Sequence, residues 1–471
     1  MFSIKRNFEI REESIKEFVR ILIPELLDKE IEFKLKYIAD HILINTKIDN
    51  KEIEFKYKNY ENYIEDQVIV MAKISLLLLM GKKYPWGGLI GVRPTKKFYT
   101  MYEIIKDVEL VKKILKELYL LSEEKIELLE TIFYKEQNLL DRKDNNKINV
   151  YIGIPFCPTK CKYCSFASYE IKSSIGKSYN EFVDCLLKEI EICSETLSKK
   201  KIESIYIGGG TPTTLTEEDL EKILIKINEK IDFTYLKEFT VEAGRIDTLS
   251  IKKLEIMKKY RVDRISINPQ TFKEETLIKL NRYYNKDEFN KYYKIAKKLG
   301  FVINMDFILG LPGETTQDIL NTLENIKKYN IENLTIHTLA IKRASHLYQE
   351  NYKHIELDKV KIENKINEVL EEKKLKPYYM YRQKNTYNWG ENIGYAVEGT
   401  ECLFNMRTIS EDQDTFGFGG GAITKKIEKI KEGIYKVNRI INPKDPNAYI
   451  KEFLDRLEKK INFFNKKSFL N

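Results

Sequence analysis

Tyr151-Ile-Gly-Ile-Pro-Phe-Cys-Pro-Thr-Lys-Cys-Lys-Tyr-Cys-Ser-Phe166 places Cys157, Cys161 and Cys164 in a C-x3-C-x2-C spacing. Three thiolates on one short loop can hold three irons of a cubane cluster and leave the fourth iron open to a ligand that is not protein. An open, reducible iron suits a reaction that makes a radical from a bound small molecule. Structural zinc wants a closed set of four protein ligands. None of the chain's histidines (His41, His337, His346 and His354) lies near the loop. A disulfide framework is out of place in a long chain without a secretory signal. Soft thiolates select iron–sulfur clusters or zinc, and zinc is short of a ligand here. The loop therefore reads as a cluster site.

Outward from the loop the pattern is strand then helix, repeated. Strand candidates are residues 148–152, 204–207, 238–241, 264–267, 302–307 and 334–337, with helical stretches such as 179–197 and 217–227 between them. Such alternation implies an α/β fold with a parallel sheet and right-handed crossovers. About six βα units are too few for a closed eight-fold barrel. Polar and glycine motifs fall where these strands end. Gly208-Gly209-Gly210-Thr211 follows the second strand and brings main-chain groups within reach of a ligand. Glu242 follows the third, Gln270 the fourth, and Asp306 sits in an apolar strand where an unpaired charge is costly. Arg282 has the bidentate geometry that suits a carboxylate.

With these motifs in order, the chain resembles the radical S-adenosylmethionine (SAM) superfamily. Within it, the chain resembles the oxygen-independent coproporphyrinogen III oxidase (coproporphyrinogen dehydrogenase) family and its longer, HemZ-type branch. The resemblance is strong over residues 148–425 and weaker in the flanks. It implies a partial (β/α)6 barrel at residues 146–345, an α+β N-terminal accessory domain at 1–145 and a smaller C-terminal domain at 346–471 that closes the barrel. It implies one 4Fe–4S cluster on Cys157, Cys161 and Cys164, and one or two SAM molecules. Tyr163 would stack near the SAM adenine; a core aromatic is the plainer alternative. Gly209, Gly210 and Thr211 belong to the glycine-rich SAM motif. Gln270, Arg282 and Asp306 would serve one SAM, and Tyr151, Gly209 and Glu242 a second or its place.

The implied reaction is oxidative decarboxylation of coproporphyrinogen III to protoporphyrinogen IX, with reduced flavodoxin or ferredoxin as electron donor. Two departures bear on it. The family's bacterial oxidase has a histidine where this chain has Gly153, and a further cysteine where it has Phe166. The second resembles a related haem-chaperone branch. A chaperone of the same family, or a radical SAM enzyme acting on another tetrapyrrole, are the alternatives.

Other features are less specific. The segment Trp86-Gly-Gly-Leu-Ile-Gly-Val-Arg-Pro-Thr-Lys96 reads equally as a carboxylate or phosphate contact and as a turn leading into a helix with Pro94 at its start. Helices are expected over 13–27 and 110–129, a strand within 56–63, and a linker at 141–147. Cys185 and Cys193 read as packing residues, while Cys402 is a candidate for the active-site rim. Lys342 and Arg343 are candidates for substrate carboxylates; 378–382 reads as an aromatic strand and 417–422 as a flexible glycine loop.

Of the 471 residues, 42% are hydrophobic, enough for a large core in two or three domains. The longest apolar run, residues 74–80, is too short to cross a bilayer, and the N-terminus lacks an apolar signal core, so a cytoplasmic protein with no membrane span is expected. Net charge is +9, but 81 basic and 72 acidic side chains are mixed along the chain. No basic block marks a nucleic-acid surface.

Overall fold

A computed structural model describes residues 2–64, 66–142, 144, 146–166, 168–350, 352–353, 355–383 and 390–465. The chain divides into two compact units: Met1–Tyr134 with Lys431–Ile434, and Lys135–Ile430 with Tyr435–Asn471. Of the expected linker at 141–147, residues 143 and 145 lie outside the described set.

In the first unit β1 (Ser3–Arg6), β2 (Glu30–Ile38), β3 (His41–Ile48) and β4 (Lys51–Lys58) form one sheet in that order. The expected strand near residue 56 is the end of β4. Alternate residues of β3 are buried, with Ile42, Ile44, Thr46 and Ile48 on one face. The helix Gln67–Leu79 covers that face, and Thr46 and Ser75 satisfy each other across it at 2.5 Å.

Two expected helices are shorter than their apolar period. The first runs Glu12–Leu22 and gives way to a 3-10 turn at Pro24–Leu26, because proline lacks the N–H that would continue it. The pattern over 110–129 belongs to two helices, Val108–Glu117 and Glu123–Leu139, separated by Leu120 in a left-handed conformation (φ 56°). The segment that begins at Trp86 is packed into this break. Gly88 N–H donates to Tyr119 O at 2.8 Å, and Ser122 N–H donates to Pro85 O at 2.9 Å. A Cβ at Gly87 would lie 2.0 Å from Tyr119 O. Its glycines thus permit backbone docking, and Pro94 is the first residue of the helix Pro94–Ile105.

The second unit holds β5 (Lys147–Ile154), β6 (Phe156–Cys157), β7 (Tyr169–Glu170), β8 (Lys201–Gly209), β9 (Glu238–Glu242), β10 (Arg264–Ser266), β11 (Val302–Leu309), β12 (Asn333–Thr338), β13 (Lys376–Arg382), β14 (Glu391–Ala396), β15 (Asp414–Gly419), β16 (Ile423–Lys431) and β17 (Ile434–Ile441). Its large sheet runs β13-β14-β12-β11-β10-β9-β8-β5-β15-β16-β17. All six expected strands are present as β5, β8, β9, β10, β11 and β12, neighbours in chain order and parallel throughout. The cores of β5 and β8 are buried on both faces, as in a parallel sheet under helices, while β11 turns Asn304, Asp306 and Ile308 toward a cavity. The helices Glu217–Lys230, Ile251–Lys259, Lys286–Lys298 and Thr316–Ile326, which follow β8, β9, β10 and β11, are capped by Thr216, Ser250, Asn285 and Thr315, each accepting a backbone N–H of the first turn.

The ring does not close. At one edge β15 adds to β5 in parallel; at the other, β14 adds to β12 antiparallel. The fold is thus an α/β partial barrel with both edges extended by later strands. The glycine segment at 417–422 is not a loose loop. Gly417 and Gly419 lie within β15, and the turn that follows is fixed by Gly420 N–H donating to Gly153 O at 3.0 Å. Beneath it, the buried Glu189 carboxylate accepts from Gly419 N–H at 2.7 Å and Tyr449 Oη at 2.8 Å, and pairs with Lys460. One side chain on the helix Tyr179–Leu197 thereby anchors the C-terminal elements.

Gly87→Ala is expected to lower stability by about 1–3 kcal/mol, since alanine is strained at a positive φ and its methyl meets a backbone oxygen. Gly91→Ala enters open space and is expected to leave the melting curve near that of the wild type. Equal losses in denaturant melts of the two variants would refute this packing account.

Candidate active site

The cysteine loop leaves β5 and is closed by a miniature parallel pair, β6 with β7. Lys160 N–H donates to Glu170 Oε1 at 2.9 Å, and Cys164 N–H donates to Cys161 O at 2.9 Å, which curls the loop so that its thiols share one side. The glycine run at the end of β8 lies against it: Gly210 N–H donates to Ile154 O at 2.7 Å and Thr211 N–H to Phe156 O at 2.8 Å. A Cβ at Gly210 would come 3.1 Å from Cys157 Sγ, so a side chain there would crowd the thiol. Thr211 Oγ1 lies 3.4 Å from the same sulfur.

Two guanidinium groups face the loop. Arg282 is buried, with Nη2 donating to Gly244 O at 2.6 Å and to Asn268 O at 2.5 Å, and Nη1 3.4 Å from Tyr163 Oη and 3.9 Å from Cys161 Sγ. No carboxylate pairs with it among the described residues. Arg245 is also buried; Nη1 donates to Thr159 O at 2.9 Å and sits 3.6 Å from Cys161 Sγ. Its remaining face is bidentate to Asp247 at 2.9 and 2.7 Å.

A cavity of about 520 Å³ opens at the C-terminal ends of the strands. Cys157, Cys161, Cys164, Tyr151, Tyr163, Gly209, Gly210, Thr211, Glu242, Gln270, Arg282 and Asp306 all line it. Gln270 is held at φ 67° by bridging to β11, and its buried Oε1 has no partner. Ser266 Oγ, also on the cavity wall, is likewise unsatisfied. Both atoms are open to a polar partner in the cavity.

The two cavity carboxylates differ in charge state. Burial, helped by nearby Asp306, pushes Glu242 up to about 7, against the Tyr206 hydroxyl that donates to its Oε1 at 2.6 Å. Burial also works to raise Asp306, but His337, Asn304 and Thr335 outweigh it and hold that carboxyl below its ordinary value. Asn268 Nδ2 and Asn304 Nδ2 donate to its two oxygens at 2.7 and 2.8 Å, and His337 Nε2 lies 3.9 Å away. Near pH 7 Asp306 is therefore the anion, and Glu242 is poised between its two forms.

Part of the cavity wall is aromatic. Phe404, Tyr206 and Tyr151 stack on one another, with Phe404 4.6 Å from Tyr206 and 5.8 Å from Tyr151, and the two tyrosines 6.2 Å apart between centroids. Strand β13 alternates: Tyr379 and Tyr381 line the cavity, while Tyr378 is buried in the core. Lys342 also lines the cavity; its Nζ has no hydrogen-bond or ion-pair partner among the described residues and is depressed by burial. Arg343 is exposed and outside the lining. Cys402 is away from the site: its Sγ meets Glu238 Oε1 at 3.2 Å, where β9 begins. Cys193 is buried in the barrel core and Cys185 packs against it.

Several cavity residues escaped the sequence reading. Arg245 lies three residues after Glu242, Asn268 two before Gln270, and Asn304 shares a strand face with Asp306 two residues on, so a signal existed for each. Phe404 arrives from a helix, Leu403–Ser410, with no local signature. Gly153 has a packing reason: a Cβ there would lie 2.3 Å from Gly420 O, so no histidine fits.

Residues 151–326 match the radical SAM superfamily. The oxygen-independent coproporphyrinogen-III oxidase-like protein HemZ of Bacillus subtilis (strain 168) is 36% identical, over 93% of this chain and 91% of its own. The chain belongs to the radical SAM superfamily and, within it, to the HemZ family. The heme chaperone HemW of Buchnera aphidicola subsp. Schizaphis graminum is 32% identical, over 67% of this chain and 81% of its own. Coproporphyrinogen III oxidase HemN of Escherichia coli, a radical SAM enzyme of solved structure, shares the fold with a TM-score of 0.52 at 19% identity, over 69% of this chain and 73% of that one.

The superfamily's cofactors are a 4Fe–4S cluster and SAM, and the residues fit them. Three cysteines share one cavity with two guanidinium donors, glycines that leave room beside Cys157, and unpartnered buried oxygens. Burial pushes the Cys157 thiol up to about 11, so cluster assembly must displace a proton there. Among the described residues no helix is long and apolar enough to cross a membrane.

Cys161→Ala is expected to abolish iron uptake on anaerobic reconstitution while leaving the circular dichroism spectrum unchanged; unaltered iron content would sink the ligand assignment. A second expectation concerns pH. A carboxyl whose folded value lies above its unfolded one keeps its proton in the native state while the unfolded state ionises, so its contribution to stability falls as pH rises from about 4.5 to about 7. Relative to Glu242→Gln, the iron-free wild type should lose about 3 kcal/mol across that window, in denaturant melts at each pH. A constant difference between the two would refute the raised value.

Proposed function

We propose that this protein catalyses the oxygen-independent oxidative decarboxylation of coproporphyrinogen III to protoporphyrinogen IX. The observation that carries the reading is that one cavity holds two sets of groups. The cysteine triad, the glycine run, Arg282 and Asp306 share it with stacked aromatics and Lys342, whose Nζ has no partner among the described residues. When bound, the cluster and SAM supply a 5′-deoxyadenosyl radical that takes a hydrogen atom from a substrate carbon.

Cys157, Cys161 and Cys164 hold the cluster. Arg282, a buried guanidinium with carbonyl partners and no anion, receives the SAM carboxylate. The ionised Asp306 accepts from ribose hydroxyls, oriented by Asn268 and Asn304. Gly209 and Gly210 offer backbone groups to the methionyl end, and Gln270 Oε1 accepts a ligand donor. Tyr206, Phe404, Tyr379 and Tyr381 exclude water and give a flat macrocycle an apolar face. Lys342 pairs with a propionate. Two of the four propionates then each lose one hydrogen atom, carbon dioxide and one electron to become vinyl groups, and the other two are kept. The electron for SAM cleavage comes from reduced flavodoxin or ferredoxin, and a separate acceptor takes the electron left by decarboxylation.

A second reading has its own support. Phe166 replaces the oxidase's further cysteine, lines the cavity and is 69% exposed, and a heme chaperone is among the relatives. In that case the protein would bind and hand on haem without decarboxylation.

The deciding experiment incubates the reconstituted protein anaerobically with dithionite, SAM and coproporphyrinogen III and weighs the products. Loss of two carbon dioxide units per substrate, coupled to 5′-deoxyadenosine, is expected. SAM cleavage with untouched substrate would overturn the substrate assignment, and no cleavage together with haem transfer to an apoprotein would favour the chaperone.

A further inference from the structure

We propose that the Arg245–Asp247 pair is a positioning device that sets the reduction potential of the cluster held by the cysteine loop. The inference rests on the cluster reading and goes beyond it, because neither residue is a ligand and neither is needed to explain SAM binding.

The geometry differs from that of the neighbouring guanidinium. Arg282 keeps donors for a carboxylate, whereas Arg245 is fully committed. Its Nε and Nη2 are locked to Asp247 Oδ1 and Oδ2 at 2.9 and 2.7 Å. That fork leaves Nη1 pointing at the cysteine loop, where it donates to Thr159 O at 2.9 Å and reaches Cys161 Sγ at 3.6 Å. Arg245 is only 4% exposed, so water screens this contact little. Asp247 sits in a 3-10 turn, Ile246–Thr248, directly after Arg245, and Thr248 Oγ1 donates back to Arg245 O at 2.8 Å. The turn therefore aims the guanidinium independently of any ligand.

A reduced cluster carries one more negative charge than an oxidised one. A fixed N–H donor and a buried positive charge beside a ligating sulfur favour the reduced form and raise the potential. The aspartate moderates this by offsetting part of the charge. Two substitutions should consequently move the potential in opposite directions. Arg245→Met removes the donor and the cation and leaves the Asp247 anion, so the midpoint falls. Asp247→Asn leaves the cation uncompensated, so the midpoint rises. A merely structural role, tying down Thr159, gives no such pair of signs, because loosening the loop from either side disturbs it alike.

The test uses the full chain, reconstituted anaerobically with iron and sulfide and without SAM. Iron and acid-labile sulfide are counted, and the midpoint is read by an EPR-monitored redox titration. A midpoint below the wild type for Arg245→Met and above it for Asp247→Asn, each with wild-type iron content, is expected. Unchanged midpoints, or shifts of the same sign, would overturn the proposal. Should Arg245→Met fail to hold its iron, Asp247→Asn decides: a rise supports the proposal, and no rise overturns it. Wild-type protein that takes up no iron at all would instead overturn the cluster reading, and the proposal with it.

Discussion

A buried positive charge without an anion organises the functional end of this molecule. The Arg282 guanidinium lies among the carbonyls of Gly244 and Asn268, the Tyr163 phenol and the Cys161 thiol. The carbonyls orient it, but carbonyl dipoles do not neutralise it, and an uncompensated ion in a low-dielectric site is expensive. By these bonds Arg282 ties the loops after β9 and β10 to the cysteine loop. The same charge makes the site receptive to negative groups, whether ligating thiolates or a ligand carboxylate. Cavity shape, loop conformation and ligand class thus follow from one constraint.

The parallel sheet delivers these loops to a common end, because successive strands run in the same direction and their C-terminal ends lie side by side. The open edges of the ring are occupied by strands from the last third of the chain. Beside β5 the price is steric: β15 approaches so closely that Gly153 and Gly419 face backbone oxygens where a Cβ would sit. Any side chain that a relative carries at residue 153 has no room in this chain, so proton movements in the cavity fall to other groups.

Two carboxylates within one cavity normally raise each other. Here the environment separates them. Asp306 collects amide donors from Asn268 and Asn304 and the nearby His337, while Glu242 has only one phenol and one backbone donor against the same burial. Pairs whose environments drive them apart are a usual mark of sites where charge and proton must be managed separately.

The local chemistry was legible along the chain. The cysteine spacing names a cluster because three soft ligands on a short loop leave zinc one ligand short. The six strands are legible because apolar runs bounded by glycines and capped helices are local signals. Periodicity alone could not see that Leu120 breaks a helix where Gly87 and Gly88 dock, nor that the glycines at 417 and 419 lie in a strand, since both depend on a backbone distant in sequence. For the same reason only the tertiary structure decided that Phe404 joins Tyr206 and Tyr151, that Cys402 turns to Glu238, and that Arg245 reaches Cys161. Spacing along the chain determines which atoms can share one loop; which loops share one cavity is set by packing between segments far apart.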